Sequence, residues 1–256
     1  MMLKNIFVFI LFLSSNLFAI TKSECLKKGE DFVFVKNECI NYKAFVTDED
    51  ALNIIVHGTW DEGTDIIARY SPFAEDISMR TDVSTIALAL PGYSESTSEN
   101  YKAIGNKEQK NLAATKKYVD FFIALVEELK KEFESTKTTI IAHSAGCMLS
   151  ATAIGVKPDL VDNLVCAGGV YDIHKKSPQK GLISAVDVID KISKDTKIVL
   201  IYGSDDKVST PKMSKDFYNL AKKKGLNVEL VEVKNAAHMD LEMQKESLEA
   251  IENLFE

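Results

Sequence analysis

The tetrapeptide His143-Ser144-Ala145-Gly146 follows a short apolar run, Thr138 to Ala142, and precedes a helix-compatible run, Cys147 to Ala151. Ala142 and Gly146 stand two residues either side of the serine. That spacing fits a strand-to-helix turn so tight that only Gly or Ala tolerates the approach of the two flanks. Such a turn lifts the Ser144 hydroxyl clear of its surroundings. It also places the N–H of Ala145 at a helix N-terminus, where it can donate to a developing oxyanion. The chemistry that calls for this arrangement is nucleophilic attack on a carbonyl, which further requires a base, an acid to orient it and a second oxyanion donor.

The chain has four histidines from which to draw the base. His143 adjoins the serine and should point away from it, His57 opens the segment His57-Gly58-Thr59-Trp60, and His174 sits in a polar stretch that reads as solvated. His238 lies in Asn235-Ala236-Ala237-His238, between an apolar run and a final amphipathic segment, and is the expected base. For the acid, Gly203-Ser204-Asp205-Asp206 follows the apolar run Ile198 to Tyr202, and either carboxylate could hold the imidazole. Asp206 is ranked first, Asp205 second and Asp172 third. Gly58 permits close backbone approach, so the N–H of Thr59 is the expected second donor. Trp60, Tyr93 and Tyr171 stand at the ends of apolar runs and are expected to contact substrate.

The elements that must position these residues are read from periodicity. Runs at Leu52–Val56, Val83–Leu90, Thr138–Ala142, Leu164–Ala167, Ile198–Tyr202 and Val228–Val233 are mostly apolar without period two, as in strands buried on both faces. Tyr118, Phe122, Leu125, Leu129 and Phe133 recur at helical spacing, with Glu127, Glu128, Lys130 and Lys131 opposite them. Leu241, Leu248, Ile251 and Phe255 predict a last amphipathic helix. The alternation implies an α/β fold with a mostly parallel central sheet flanked by helices, its ligands bound at the carboxyl ends of the strands. No repeat or linker divides residues 20–256, which read as one domain.

These segments together resemble the α/β-hydrolase superfamily across nearly all of residues 20–256. The residues that carry the likeness are the His57-Gly58 turn, Ala142-His143-Ser144-Ala145-Gly146, Gly203-Ser204-Asp205-Asp206 and His238, in the chain order Ser, acid, His. The resemblance implies an acid three residues after the glycine, which favours Asp206. It departs at Ala142, where Gly is commonest. Ala167-Gly168-Gly169-Val170-Tyr171-Asp172 is similar, over a short stretch, to a segment of acetyl-esterase and formamidase-like members.

Composition narrows the remaining classes. The 256 residues are 46% hydrophobic and 27% charged, which excludes a disordered chain and permits a substantial core. With 31 basic against 38 acidic residues and a net charge of −7, nucleic acid is not an expected partner. Lys4, the apolar run Ile6 to Leu13 and the small Ala19 read as a secretory signal peptide over residues 1–19. That run is shorter than the ~20 residues a bilayer-spanning helix needs, so no stable membrane anchor is expected. Export, periplasmic or secreted, permits disulfides. Cys25 and Cys39 flank the strand-like run Phe32 to Glu38 and are expected to bridge, giving a disulfide-linked hairpin over residues 20–45. Cys147 and Cys166 lie in apolar stretches and read as buried packing residues.

The function expected from these residues is hydrolysis of a small or medium acyl ester, soluble or surface-attached, through Ser144, Asp206 and His238 with no metal or organic cofactor. The stretch from Tyr171 to Lys197 leaves only about 25 residues for a cap, so the site should be open or lightly covered. Amidase, peptidase and thioesterase activities use the same residues and stay open as alternatives. So does a non-catalytic exported binding protein on a hydrolase scaffold.

Overall fold

A computed structural model of the protein describes residues 20–60, 64–92, 101 and 111–255. The expected signal peptide and Tyr93 lie outside the described residues. Among the described residues eight strands form one sheet: β1 (Phe32–Val35), β2 (Glu38–Phe45), β3 (Ala51–Val56), β4 (Ser84–Leu88), β5 (Lys137–His143), β6 (Asn163–Ala167), β7 (Lys197–Gly203) and β8 (Val228–Val233). Their spatial order is β1-β2-β4-β3-β5-β6-β7-β8. The β1–β2 and β2–β4 pairs are antiparallel, and every pair from β4 to β8 is parallel.

The helices are α1 (Lys22–Leu26), α2 (Ile66–Thr81), α3 (Lys116–Glu132), α4 (Ala145–Val156), α5 (Ala185–Val188), α6 (Pro211–Lys223) and α7 (Lys245–Glu252). Alternate residues of the central strands serve opposite faces. Ile54, Ile140, Leu164 and Leu200 join one buried cluster with residues of α3, α4 and α6. Ile55, Ile141, Val165 and Val199 join a second with residues of α2 and α7. Double coverage explains why these strands read as continuous apolar runs. It also makes this the mostly parallel, helix-flanked sheet that the alternation implies. At the edge, β8 has solvent on part of its surface, and Glu229 and Glu232 are exposed there.

Helix α3 shows how sequence becomes packing. Thr115 caps it by accepting from the Tyr118 N–H, and Tyr118, Phe122, Leu125 and Leu129 form its fully buried stripe. Each such side chain contributes roughly 1.5–3 kcal/mol on leaving water. The last helix differs from expectation. Leu241 lies in a 3₁₀ turn (Leu241–Met243), and α7 begins only at Lys245. Asp240, with φ at 54°, bends the chain so that Leu241 is buried from a separate turn.

The N-terminal segment is also more than a hairpin. Lys36 and Asn37, with φ of 50° and 65°, form the two-residue turn between β1 and β2. Cys25 sits on α1, whose first turn is closed by a reciprocal Thr21–Glu24 capping box. The Cys25–Cys39 disulfide, with Cα atoms 5.4 Å apart, therefore staples a helix to β2. Because β2 pairs with β4, the staple ties the segment to the main sheet.

The loop closed by this bridge spans 14 positions, which corresponds to about 3 kcal/mol of stabilisation from lost unfolded-state entropy. Replacing both Cys25 and Cys39 by Ser should lower the free energy of urea unfolding by about that amount while far-ultraviolet dichroism stays unchanged. An unchanged unfolding midpoint would contradict a stabilising staple.

Candidate active site

Because β3, β5, β7 and β8 run parallel, their carboxyl ends open onto one edge of the sheet, where Gly58, Ser144, Asp206 and His238 emerge. Ser144 is the hinge between β5 and α4, with φ 52° and ψ −114°. This is a strained conformation for a residue with a side chain, and it persists because the surroundings fix it. The Ser144 N–H donates to the Ala167 carbonyl of neighbouring β6 at 2.9 Å. The Ser144 carbonyl in turn accepts from the Cys147 and Met148 N–H groups of α4. Gly146 lets α4 cross β3 at contact distance: a Cβ there would lie 2.4 Å from the Val56 carbonyl oxygen and 2.7 Å from that of His57.

His238 bridges Ser144 and Asp206. Its Nε2 lies 2.9 Å from Ser144 Oγ, and its Nδ1 lies 2.7 Å from Asp206 Oδ2. With a carboxylate at Nδ1, that nitrogen carries the proton and Nε2 is free to accept one from the serine. Asp206 is only 3% exposed, and its other oxygen accepts from the Val208 and Ser209 N–H groups, both at 2.8 Å. Burial favours the neutral carboxyl, but the hydrogen bond from His238 and the two backbone donors outweigh it and hold Asp206 below the ordinary aspartate range. The acid therefore stays ionised at neutral pH.

The loops carrying Asp206 and His238 are joined by backbone hydrogen bonds. Ser204 N–H donates to Val233 O and Asp205 N–H to Ala236 O, both at 3.0 Å. Gly203 makes this possible, since a Cβ there would meet the Ala236 carbonyl oxygen at 2.4 Å. Asp205 is exposed, its carboxylate lies 3.5 Å from Ser204 Oγ, and among the described residues it has no hydrogen bond to His238. Asp172 is held by Lys175 at 3.3 Å and takes no part in the constellation.

On the opposite side, the Leu90 N–H donates to His57 Nε2 at 2.9 Å, so Nδ1 carries the proton and donates to the Gly58 carbonyl at 2.6 Å. Burial pushes the His57 pKa down to about 4, against the raising effect of the Gly58 contact, with His143 pushing down further. A permanently neutral imidazole thus shapes the loop that presents Thr59. The N–H groups of Thr59 and Ala145 have no acceptor among the described residues. Ala145 opens α4, where first-turn N–H groups lack intrahelical partners.

The expected aromatic contacts fare differently. Trp60 is half-buried, with the Arg69 guanidinium 3.9 Å from its ring centroid and Tyr70 edge-on at 6.3 Å. Arg69 is itself anchored by Asp240. Tyr171 requires a correction as a substrate contact: it is 2% exposed and stacks in parallel on Phe217, with ring centroids 4.4 Å apart. The sheet-covering helix α6 captures the ring, which walls a separate cavity of about 230 Å³ with Val186 and Met213. His174 pairs with Asp187 on the surface, and Cys147 and Cys166 are buried free thiols, both as expected. Sequence reasoning missed Glu242 and Tyr70, which lie behind His143. Nothing in their spacing distinguishes them from surface and core residues.

Among the described residues no group of three or more His, Cys, Asp or Glu side chains could hold a metal ion.

Comparison with known proteins gives these distances a family context. The family model described as Hydrolase_4, serine aminopeptidase S33, matches residues 47–198, more than half of the chain, including the Ser144 turn. A search of curated proteins gives no match. Solved structures share the fold at low identity. Est1E from Butyrivibrio proteoclasticus with bound ferulic acid is 16% identical at TM-score 0.62, over 87% of this chain and 96% of that one. A monoacylglycerol lipase from Paleococcus ferrophilus is 15% identical at TM-score 0.61, over 84% and 98%. The Pyrococcus furiosus esterase Pf2001 is 17% identical at TM-score 0.63, over 87% and 89%. With the parallel sheet, the strained serine turn and the family match in agreement, the chain belongs to the serine aminopeptidase S33 family of the α/β-hydrolase superfamily.

Proposed function

We propose that the protein is a serine hydrolase that cleaves a small or medium acyl ester through a covalent acyl-enzyme. The observation that carries this reading is the unbroken line from Asp206 Oδ2 through His238 to Ser144 Oγ, with links of 2.7 and 2.9 Å. Ser144 Oγ attacks the ester carbonyl while His238 Nε2 takes its proton, and Asp206 stabilises the imidazolium that forms. The tetrahedral oxyanion is received by the N–H groups of Thr59 and Ala145. His238 then returns the proton to the departing alkoxide, leaving Ser144 acylated. A water molecule, deprotonated by the same imidazole, attacks the acyl group, and the collapse restores the Ser144 hydroxyl and frees the acid.

The ester reading is supported by neighbours described as an esterase and a monoacylglycerol lipase. The family description favours a second reading, hydrolysis of an amide or peptide bond by the same residues. The short elements between β6 and β7, a 3₁₀ turn at Ile173–Lys175, α5 and a 3₁₀ turn at Ile189–Lys191, support a lightly covered site and hence a short acyl chain. Export to an oxidising compartment belongs to the same proposal, supported by the Cys25–Cys39 bridge. Among the described residues no helix is long and apolar enough to cross a membrane.

A fluorophosphonate should label the protein and fail to label Ser144→Ala; equal labelling of the two would remove the nucleophile. On p-nitrophenyl esters of increasing length, kcat/KM should peak at short or medium chains and exceed that on aminoacyl p-nitroanilides. A long-chain optimum would overturn the open-site proposal, and a preference for the anilides would favour the second reading. Asp206→Asn should lower kcat by about 10⁴-fold, the loss expected when the base is left in the wrong tautomer, while Asp205→Asn stays within about threefold of wild type. The reverse ranking in steady-state turnover would reassign the acid.

A further inference from the structure

Behind the base lies a buried polar cluster that the hydrolytic steps do not use. His143, at the end of β5, is 4% exposed, and Glu242, on the 3₁₀ turn after His238, is 1% exposed. Tyr70 of α2 donates its hydroxyl to Glu242 Oε1 at 2.8 Å. The second oxygen, Glu242 Oε2, lies 3.7 Å from His143 Nε2 and has no hydrogen-bond partner among the described residues. His143 Nε2 is also 2.9 Å from the main-chain carbonyl of His238, and the two imidazole rings sit 4.9 Å apart at 40°. His143 Nδ1 is without a partner among the described residues.

A carbonyl and a carboxylate oxygen both face Nε2, so that nitrogen carries the proton and donates to the His238 carbonyl. The carboxylate is kept in place by Tyr70, whose phenol burial and the nearby Glu242 push well above the ordinary range, so it remains a donor. The other charged groups packed around the cluster are already committed: Arg69 to Asp240, and Asp206 to His238. Burying a carboxyl group and an imidazole, each with an orphaned atom, costs free energy that a purely apolar filling would avoid. The cost coincides with a point where the base's own loop is held by the residue next to the nucleophile.

We propose that His143, backed by Glu242 and Tyr70, is a positioning residue for the base. Ser144 and His238 stand 94 positions apart in sequence, and His143 joins their backbones through a single hydrogen bond. It fixes the main chain at His238, and its ring limits the swing of the imidazole between Asp206 and Ser144. A displacement near 1 Å at such a point costs about 10²-fold in rate. This inference rests on the hydrolase reading above.

The test is steady-state kinetics per active site, with sites counted by fluorophosphonate titration and folding checked by thermal melting. His143→Phe keeps the ring and removes the donor. It should lower kcat per titrated site by about 10- to 100-fold with KM changed less than about threefold. His143→Gln places an amide donor near the Nε2 position and should recover most of that loss. A residue needed only for folding would reduce the titrated fraction and leave kcat per site unchanged. Where His143→Phe does not fold, His143→Leu carries the same comparison. Wild-type kcat per site in a folded apolar variant, or a Gln variant no better than the apolar one, would overturn the positioning role alone. A wild-type protein with no titratable serine would overturn the hydrolase reading and this role with it.

Discussion

Gly146 carries no side chain, and the space that a Cβ would fill is already taken by the carbonyl oxygens of Val56 and His57, at 2.4 and 2.7 Å. That contact lets α4 start directly over the end of β3 and forces the residue between β5 and α4 into a positive φ. Ser144 is therefore held in a conformation that an isolated peptide would seldom adopt, at a cost of order 1–3 kcal/mol. The sheet supplies what opposes this strain, through the β3–β5 pairing and the hydrogen bond from Ser144 N–H to β6. The same contact brings the Ala145 N–H and the loop bearing Thr59 to the same end of the sheet. The Ser144 turn and the N–H groups of Ala145 and Thr59 thus share one close approach.

The rest of the site depends on the parallel order of β5 to β8. Parallel strands deliver successive loops to one edge, so Asp206 and His238 need only short excursions to meet Ser144. Gly203 narrows the gap between the β7 and β8 loops, and the backbone bonds of Ser204 and Asp205 stitch them together. Within this frame the electrostatics are set by partners more than by burial. Asp206 is buried yet ionised because it accepts three hydrogen bonds. Among the described residues His57 hydrogen-bonds to backbone groups alone, and burial keeps it neutral. Of two buried titratable groups at the same sheet edge, one is thereby ionised and the other neutral.

Much of this was legible in the sequence because it is local. The small residues around Ser144, the Gly-Ser-Asp-Asp exit from β7 and the position of His238 after β8 each express a turn within a few residues. The doubly covered strands announced themselves as apolar runs. What stayed hidden depends on partners distant in the chain. Tyr171 looked available at a strand end, but Phe217 of α6 claims its ring. Leu241 continued the periodicity of α7, but the positive φ at Asp240 puts it in a separate turn. Glu242 reads as a surface residue until Tyr70 and His143 close around it. Asp205 and Asp206 are the same residue type side by side, and in the fold Asp206 is buried on His238 and two backbone donors while Asp205 is exposed.

If the close approach at Gly146 holds Ser144 in its strained turn, it also sets the reactivity of that side chain. The most direct measurement is the second-order rate of fluorophosphonate labelling in Gly146→Ala, compared with wild type at equal folded fraction. The added methyl group has to displace α4 from β3, so the rate should fall by about 10²-fold or more even in molecules that retain native dichroism. Labelling at the wild-type rate in folded Gly146→Ala would contradict the account.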